Sequence, residues 1–239
     1  MSKGRLFLIP SSLGSDDPVN FIPKASLDEV YRLQYFIAER AKTARAYLKD
    51  IAFPLPMSDI HVNELNKHDR EDYKQLLAPC LGGHDCGLLS EAGVPGVADP
   101  GGGVVAAAHR LGIEVVPLVG ASSILLALMA SGMSGQKFMF HGYLPKDETQ
   151  LAKQIKTLES TSQNENMTQI FIETPFRNEK LRAALLRHLK ADTRLCLSVN
   201  LTAKGQSIRT KTVADWKKAT INIDRNPTVF LIYAGQEVK

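Results

Sequence analysis

The sequence predicts an α/β protein built on parallel β-sheet, and two successive strand-loop-helix patterns carry this prediction. An apolar run at residues 87–89 leads through a loop of small residues into an Ala-rich helical run at 104–111, which stops at Gly112. A second apolar run at 113–118 leads through another small-residue loop into an apolar helix at 124–131. Alternation of this kind is typical of a parallel sheet flanked by helices.

The residues before this stretch continue the same alternation. The apolar run at 5–10 predicts a first strand followed by a loop, and Ser26-Leu27-Asp28-Glu29 predicts a capping box that opens a short helix. The remaining predicted elements are a strand at 34–39, a basic helix at 40–49 and an amphipathic helix at about 69–81.

The residues after it also alternate between strands and helices. Polar, turn-forming composition at 160–166 predicts an exposed turn. The other predicted elements are a strand and loop at 138–146, a helix at 150–158, a strand at 170–173, a helix ending at Lys190, and strands at 194–199, 206–212 and 228–233.

Composition bounds the protein class. At 239 residues, with 44% hydrophobic and 23% charged residues, the chain can form one large or two modest globular domains. No apolar run approaches the roughly 20 residues that span a bilayer, and the first residues lack a secretory pattern, so we expect a cytoplasmic protein without a membrane partner. The net charge of +4 permits an RNA partner without requiring one.

The cysteine content does not predict a metal centre. Three cysteines are an odd number, as expected for reduced thiols. Cys80, His84 and Cys86 have a spacing that resembles half of a zinc site, but there is no second cluster to complete it. We therefore expect no bound metal.

The two small-residue loops, 90–103 and 119–123, are candidate ligand-binding loops. Ligands of open α/β sheets lie beyond the carboxyl ends of the strands, and glycine lets the main chain approach them closely. Neither loop contains a phosphate-binding fingerprint, so bare N–H and C=O groups suit a nucleoside or an amino-acid head group better. From composition alone, both loops are equally consistent with ordinary tight turns.

Three motifs resemble those of a known family. SEAGVPGVADPGG, VVPLVGASS and FHGYLPK are similar to motifs of the class III S-adenosyl-L-methionine (SAM) dependent methyltransferases, the tetrapyrrole methylase superfamily. The similarity is strongest to the branch that methylates ribose 2′-hydroxyls of small-subunit ribosomal RNA. It implies two α/β domains, 1–118 and 119–239, each with a mostly parallel or mixed sheet flanked by helices, in a homodimer.

The resemblance also implies which residues hold SAM, in a trough between the domains. Val94 stands where the family has Thr, so one hydroxyl contact is lost. The implied cofactor-binding residues are Pro10, Ala92, Gly93, Val94, Val97, Ala98, Ser122, Ser123, Ile172, Glu173, Asn200, Pro227 and Thr228.

Four residues are candidates for the chemistry of transfer. Glu39 and Glu173 are the carboxylates that resemble family positions, and Arg177 and Lys204 are the cations that would orient the acceptor. The family motifs EDTR and YESPHR are altered here: only Glu39 matches in the first, and Phe176 replaces His in the second. A carboxylate at a strand end is equally often a capping or salt-bridging group, and an arginine there can cap a loop.

The resemblance implies SAM-dependent 2′-O-methylation of a ribose in small-subunit ribosomal RNA, with RNA or the ribosomal subunit as partner. Two alternatives stay open. One keeps the fold with a tetrapyrrole or other small-molecule acceptor. The other is a SAM-binding protein that has lost catalysis, which the altered motifs suggest.

Overall fold

The computed structural model describes residues 2–14, 17–65 and 73–236. The chain divides into two compact units, Met1–Ser122 and Ser123–Lys239. The division falls four residues after the position at which the family resemblance placed a domain boundary.

The first unit is a parallel sheet with helices between its strands. The strand order is β3-β2-β4-β1-β5, and every pairing is parallel. Its elements in chain order are β1 (Leu6–Ile9), α1 (Lys24–Val30), β2 (Tyr35–Ala38), α2 (Ala41–Asp50), β3 (His61–Glu64), α3 (Tyr73–Leu76), α4 (Ala78–Leu81), β4 (Cys86–Leu89), α5 (Gly102–Arg110) and β5 (Val115–Pro117).

The order of the strands locates the place where a ligand can bind. After β1 the chain crosses over β4 and forms β2 on one side of this central pair of strands. After β4 it crosses over β1 and forms β5 on the other side. The loops after β1 and β4 therefore diverge, and this divergence opens a crevice beyond the carboxyl ends of two neighbouring strands.

The sheet of the first unit is covered on both faces, as a parallel sheet requires. Phe7 and Ile9 of β1 pack into one buried apolar cluster, and Leu6 packs into another. Neighbouring strand β4 is buried along its whole length. Gly87 leaves space for this packing, because a β-carbon there would lie 2.4 Å from Ile9 Cδ1.

The second unit contains a mixed sheet, as the resemblance implied. The strand order is β6-β7-β10-β8-β9; β6, β7 and β8 share one direction, and β9 and β10 run oppositely. The elements are α6 (Ser123–Ser131), β6 (Phe138–Tyr143), α7 (Glu148–Glu165), β7 (Thr168–Ile172), α8 (Asn178–His188), β8 (Arg194–Val199), β9 (Ser207–Thr212), α9 (Val213–Trp216) and β10 (Thr228–Tyr233).

The capping box predicted at residues 26–29 is wrong. Helix α1 begins earlier, at Lys24, with Pro23 in the cap position and no side-chain cap hydrogen bond. Ser26 lies inside the helix, where its hydroxyl donates to the carbonyl of Val119 at 3.0 Å. The serine thus ties the first helix to the loop after β5 instead of capping its own helix.

The exposed turn predicted at residues 160–166 is also wrong, because α7 continues to Glu165. Two polar side chains near the end of α7 accept hydrogen bonds from backbone N–H groups of other segments. The Ser162 hydroxyl accepts from the Ala234 amide at 2.9 Å, and the buried Glu159 carboxylate accepts from the Lys190 amide at 2.8 Å. Asn166 ends the helix in the left-handed conformation.

The single helix predicted at 69–81 is interrupted. Residues 69–72 lie outside the described part of the chain. From Tyr73 onward the segment forms two short helices that break at Leu77, two residues before Pro79. Proline has no N–H to continue the helical hydrogen bonds and is tolerated in a first turn, where it stands here.

Within the described ranges, no helix combines the length and the apolar character needed to cross a membrane.

The continuation of α7 can be tested at the exposed residue Ser160. We expect Ser160→Pro to lower the free energy of unfolding by about 3 kcal/mol or more, because proline removes a hydrogen bond and clashes inside a helix. Ser160→Ala is the control and should change it by less than about 0.5 kcal/mol. Urea unfolding measures the free energy of unfolding of both variants. If Ser160→Pro left it unchanged, residue 160 would not lie inside a helix.

Candidate functional site

Two loops of the first unit are joined by their main chains beyond the sheet. Ser11, after β1, and Gly93, after β4, form an isolated antiparallel bridge. The Ser11 amide donates to the Gly93 carbonyl at 2.8 Å, and the Gly93 amide donates to the Ser11 carbonyl at 3.3 Å. The crevice that the strand order predicts is therefore bounded by main chain of fixed geometry.

Buried side-chain hydroxyl groups donate hydrogen bonds to backbone carbonyls of this junction. The Ser11 hydroxyl donates to the Ser90 carbonyl at 2.8 Å, and the Ser90 hydroxyl donates to the Gly93 carbonyl at 3.2 Å. The Tyr47 hydroxyl, from α2, donates to the Pro10 carbonyl at 2.7 Å. Burial raises the pKa of Tyr47, with a smaller contribution from the nearby Tyr31, so the phenol remains a donor.

The loop after β4 needs small residues because of its backbone conformation. Gly93, Gly96 and Gly101 have φ angles of +76°, +77° and +125°, and Ala98 has +64°. These values lie in the region that side chains disfavour, so glycine is the least costly choice. Ala92, Val97 and Ala98, three of the implied cofactor-binding residues, are exposed on this loop, and Val94 is half-buried.

The loop after β5 packs closely against the loop after β1. A β-carbon on Gly120 would lie 2.2 Å from Cβ and 2.4 Å from Cγ of Pro10, which is closer than real atoms come. A β-carbon on Gly93 would lie 3.8 Å from the Ala121 carbonyl oxygen. Loops after β1, β4 and β5 therefore meet, and we call these residues, 10–12, 90–98 and 119–122, the three-loop cradle.

A cavity with both polar and apolar walls lies next to the cradle, on its α2 side. It encloses about 580 Å³, including the solvent at its mouth. The Thr43 hydroxyl donates to the Glu91 carboxylate across it at 2.8 Å. Glu39, half-buried, directly follows β2, whose last residue Ala38 lines the cavity. The lining residues are Ser11, Ser12, Ala38, Thr43, Ala44, Ala46, Tyr47, Asp50, Leu89, Ser90 and Glu91.

In the second unit, the candidate residues gather at one end of the sheet. Ile172 pairs with Val229, and Val199 pairs with Thr228, so β7 and β8 end where β10 begins. Glu173 follows β7, and Asn200 and Lys204 follow β8. Ile172 is the last residue of β7 and Thr228 the first of β10, and the connections at this end of the sheet carry Glu173, Arg177, Asn200, Lys204 and Pro227.

Glu173 and Arg177 form an ion pair. The Glu173 side chain is only 2% exposed, and its Oε2 lies 3.1 Å from Nη2 of Arg177, which is 29% exposed. The Glu173 Oε1 accepts from the Thr174 amide at 2.7 Å. Both carboxylate oxygens are therefore engaged, and the pair fixes the turn after β7. Lys204, in contrast, is exposed.

An amide network orders the neighbouring loops. The Asn200 amide nitrogen donates to the Asn226 side-chain oxygen at 2.9 Å, and the Asn200 backbone N–H donates to the Pro227 carbonyl at 2.9 Å. The fully buried Asn178 donates through Nδ2 to the Asn226 carbonyl at 2.7 Å and to Thr228 Oγ1 at 3.3 Å. Asn200 itself has a φ of +49°, which asparagine tolerates.

Sequence reasoning missed several residues that build these sites. Ser90 and Ser11 could have been suspected, because each is the polar residue closest after a buried strand. The sequence carries no signal for Tyr47, which reaches the cradle from the middle of α2. Asn178 and Asn226 likewise act only through tertiary contacts.

The thiols and carboxylates of the described ranges do not assemble into a cluster of three or more metal-ligating side chains. Cys80 and Cys86 are buried, whereas His84, between them in sequence, is exposed.

Comparison with known proteins assigns this architecture. The sequence profile of the family described as Tetrapyrrole (Corrin/Porphyrin) Methylases matches residues 27–216. A Ribosomal RNA small subunit methyltransferase I from Pseudomonas aeruginosa is 28% identical over 239 residues, which cover 99% of this chain and 81% of that protein. One of the same name from Streptococcus pyogenes is 31% identical over 74% of this chain, and the match spans 58% of its length.

A solved structure has the same fold. The crystal structure of the methyltransferase CobJ superposes with a TM-score of 0.60, covering 96% of this chain and 94% of that one, at 16% sequence identity.

The chain belongs to the tetrapyrrole methylase family. It is thereby a SAM-dependent methyltransferase by class, and the family implies SAM as the methyl donor. Within the three-loop cradle, Gly120 packs so closely against Pro10 that a single β-carbon at this position would collide with the proline ring.

The close approach at Gly120 can be tested by adding one methyl group. We expect Gly120→Ala to lower the free energy of unfolding by about 1–3 kcal/mol, because the rigid Pro10 ring cannot yield to it. The control is Gly102→Ala, where the added β-carbon would meet nothing within 4 Å and helix propensity favours alanine by up to about 1 kcal/mol.

Urea unfolding of both variants measures the difference. If the two alanines had equal effects, the loops would not be in the contact described.

Proposed function

We propose that this protein transfers the methyl group of SAM to a ribose 2′-hydroxyl in small-subunit ribosomal RNA. The observation that carries the proposal is the three-loop cradle at the divergence of β1 and β4, in a chain whose relatives are named Ribosomal RNA small subunit methyltransferase I. A ribosomal RNA acceptor also makes the cytoplasm the proposed location.

Main-chain groups of the cradle are proposed to hold SAM. The bound cofactor would supply a methyl group on a positively charged sulfur, which is open to direct displacement. The residues proposed to line its site are Pro10, Ala92, Gly93, Val94, Val97, Ala98, Ser122 and Ser123, with Ile172, Glu173, Asn200, Pro227 and Thr228 from the second unit. Displacement requires donor and acceptor in line at about 3 Å, so rigid placement by the loops is their main catalytic contribution.

The proposed roles of the charged candidates follow from their surroundings. Glu173 is closed from solvent and paired with Arg177, so this pair is proposed to hold the turn after β7 in position. Glu39 is the carboxylate proposed to accept the hydroxyl proton, since a ribose hydroxyl is a weak nucleophile. Lys204, exposed on the loop after β8, is proposed to orient the acceptor through its phosphate.

The distribution of charge favours RNA over an apolar macrocycle as acceptor. The second unit carries 17 Lys and Arg residues against 10 Asp and Glu, while the first carries 12 against 15. A polyanionic acceptor would be attracted to the cationic unit. A tetrapyrrole acceptor and a protein that binds SAM without catalysis remain the competing functions, and the assay below separates all three.

The proposal is tested by SAM binding and methyl transfer. We expect calorimetry to show SAM binding, and we expect label from SAM to enter small-subunit RNA taken from a strain that lacks the modification. Binding without transfer to any acceptor would favour the non-catalytic alternative. Transfer to a tetrapyrrole but not to RNA would overturn the RNA acceptor.

Within this assay, Lys204→Ala tests the acceptor-orienting role. We expect the rate of transfer to fall about tenfold or more while the SAM dissociation constant stays within about twofold. Lys156→Ala, which removes an exposed cation from α7, should change neither quantity. An unchanged rate in Lys204→Ala would remove this residue from the mechanism.

We further propose that the protein is a homodimer that buries exposed apolar side chains of α6 and β6. Met129 is 79% exposed, and Leu125, Phe138 and Met139 are exposed as well. Leu125 and Met129 lie one turn apart on α6, and large exposed apolar side chains that share a surface are typical of protein interfaces.

The double variant Leu125→Lys/Met129→Lys tests the dimer. Light scattering after gel filtration should give twice the chain mass of 26.2 kDa for the wild type and a monomer for the variant. Lys153→Gln on α7 serves as the surface control. A wild-type monomer at micromolar concentration would contradict the proposal.

A further inference from the structure

Four cations of the second unit lie on the strand at the edge of its sheet and directly after the helix that follows it. Strand β9 pairs only with β8 in the described sheet and presents Arg209 and Lys211 to solvent. Lys217 and Lys218 are exposed directly after α9. No ion pair engages any of these four cations within the residues that the structure describes.

Alternation along β9 fixes which side chains share a face. Ile208 packs against the apolar cluster beneath α6, and the Thr210 hydroxyl donates to the Ser131 carbonyl at 2.7 Å. Because successive side chains of a strand point to opposite faces, Ser207, Arg209 and Lys211 all lie on the other face. Two such positions are about 6.8 Å apart along the strand, a separation on the scale of neighbouring phosphates in a nucleic acid strand.

The Lys211 ammonium lies near an aromatic ring, 5.8 Å from the centroid of Trp216. Trp216 is buried, and its indole N–H donates to the Leu195 carbonyl at 2.7 Å. The separation is close to the outer limit of about 6 Å for a cation–π contact, so this contact restrains the ammonium only weakly. A carboxylate also lies in this region: Asp215, in the first turn of α9, accepts from the hydroxyl of the capping residue Thr212 at 2.7 Å.

Beside these cations lies an open groove with hydrogen-bonding walls. It has an empty volume of about 930 Å³, including open solvent, and is lined by Glu179, Ser207, Arg209, Thr220, Ile221 and Asn222. The one carboxylate of this lining, Glu179, is neutralised by Arg182 at 2.9 Å. The groove therefore keeps the positive charge of Arg209 and offers two hydroxyls and an amide.

We propose that this groove and the adjoining face of β9, which begins beside the loop after β8, bind the phosphodiester backbone of the RNA substrate. Arg209 and Lys211 contact successive phosphates, and the hydroxyls of Ser207 and Thr220 donate to phosphate oxygens. The inference rests on the proposed function, since it takes RNA as the acceptor, and it adds the surface that holds the strand. Contacts of this kind position the substrate without reading its sequence.

The double variant Arg209→Gln/Lys211→Gln tests this surface in the full-length protein. We expect the dissociation constant for small-subunit RNA to rise about tenfold or more. The slope of log affinity against log salt should become shallower by about 1.4, since each phosphate contact to a single strand contributes about 0.7. The rate at saturating RNA and the affinity for SAM should stay unchanged. Lys153→Gln/Lys156→Gln is the charge-matched control and should change none of these quantities.

The single variant Arg209→Gln leaves the contact between Lys211 and Trp216 intact and should produce about half of the change in slope.

The outcomes separate this inference from the function on which it rests. If the wild type binds and methylates RNA but the double variant matches the control, the surface is wrong and the function stands. If the wild type does not bind RNA, both are wrong. A loss of solubility without a change in RNA affinity would show that the cations only protect a sheet edge from aggregation, and would also overturn the inference.

Discussion

The contact between three loops of the first unit is the constraint on which the rest of the account depends. Main-chain hydrogen bonds join Ser11 to Gly93, and Gly120 approaches Pro10 so closely that no side chain fits between them. The strand order brings these loops together, because the connections from β1 and β4 leave in opposite directions. Buried hydroxyls beneath them replace solvent as hydrogen-bonding partners. The result is a set of three loops whose main chain is held in position by hydrogen bonds and close packing, as our proposal for SAM binding requires.

In the second unit, side-chain contacts rather than main-chain contacts hold the loops in position. Its sheet is mixed, so the ends of β7 and β8 meet the start of β10, and polar side chains stabilise the connections. Glu173 pairs with Arg177, and both Asn200 and Asn178 donate to Asn226, in buried or half-buried positions. Unpaired, such groups would cost about 1–3 kcal/mol each. Within the described residues, only the side-chain oxygen of Asn178 in this network is buried without a hydrogen-bond partner. These contacts hold the loops in position, which suits a reaction in which placement supplies most of the rate.

Periodicity and small-residue loops were sufficient to predict the α/β class and the strands of both units except β3, whose residues His61–Glu64 are too polar to be recognised as a strand. The family resemblance then implied two α/β domains, each with a mostly parallel or mixed sheet. Prediction failed where polar side chains act over long distances in sequence. Ser26 resembles a cap but binds the Val119 carbonyl, and Ser162 resembles part of a turn but binds the Ala234 amide from within a helix. Tyr47 and Asn178 were missed for the same reason, since their partners are far away along the chain.

A crystal structure of the protein with SAM bound would show whether the cradle holds the cofactor. We expect electron density for the nucleoside in van der Waals contact with the main chain of residues 92–98 and 120–122, with hydrogen bonds from backbone N–H groups. Density elsewhere on the molecule, with these loops untouched at saturating SAM, would contradict it.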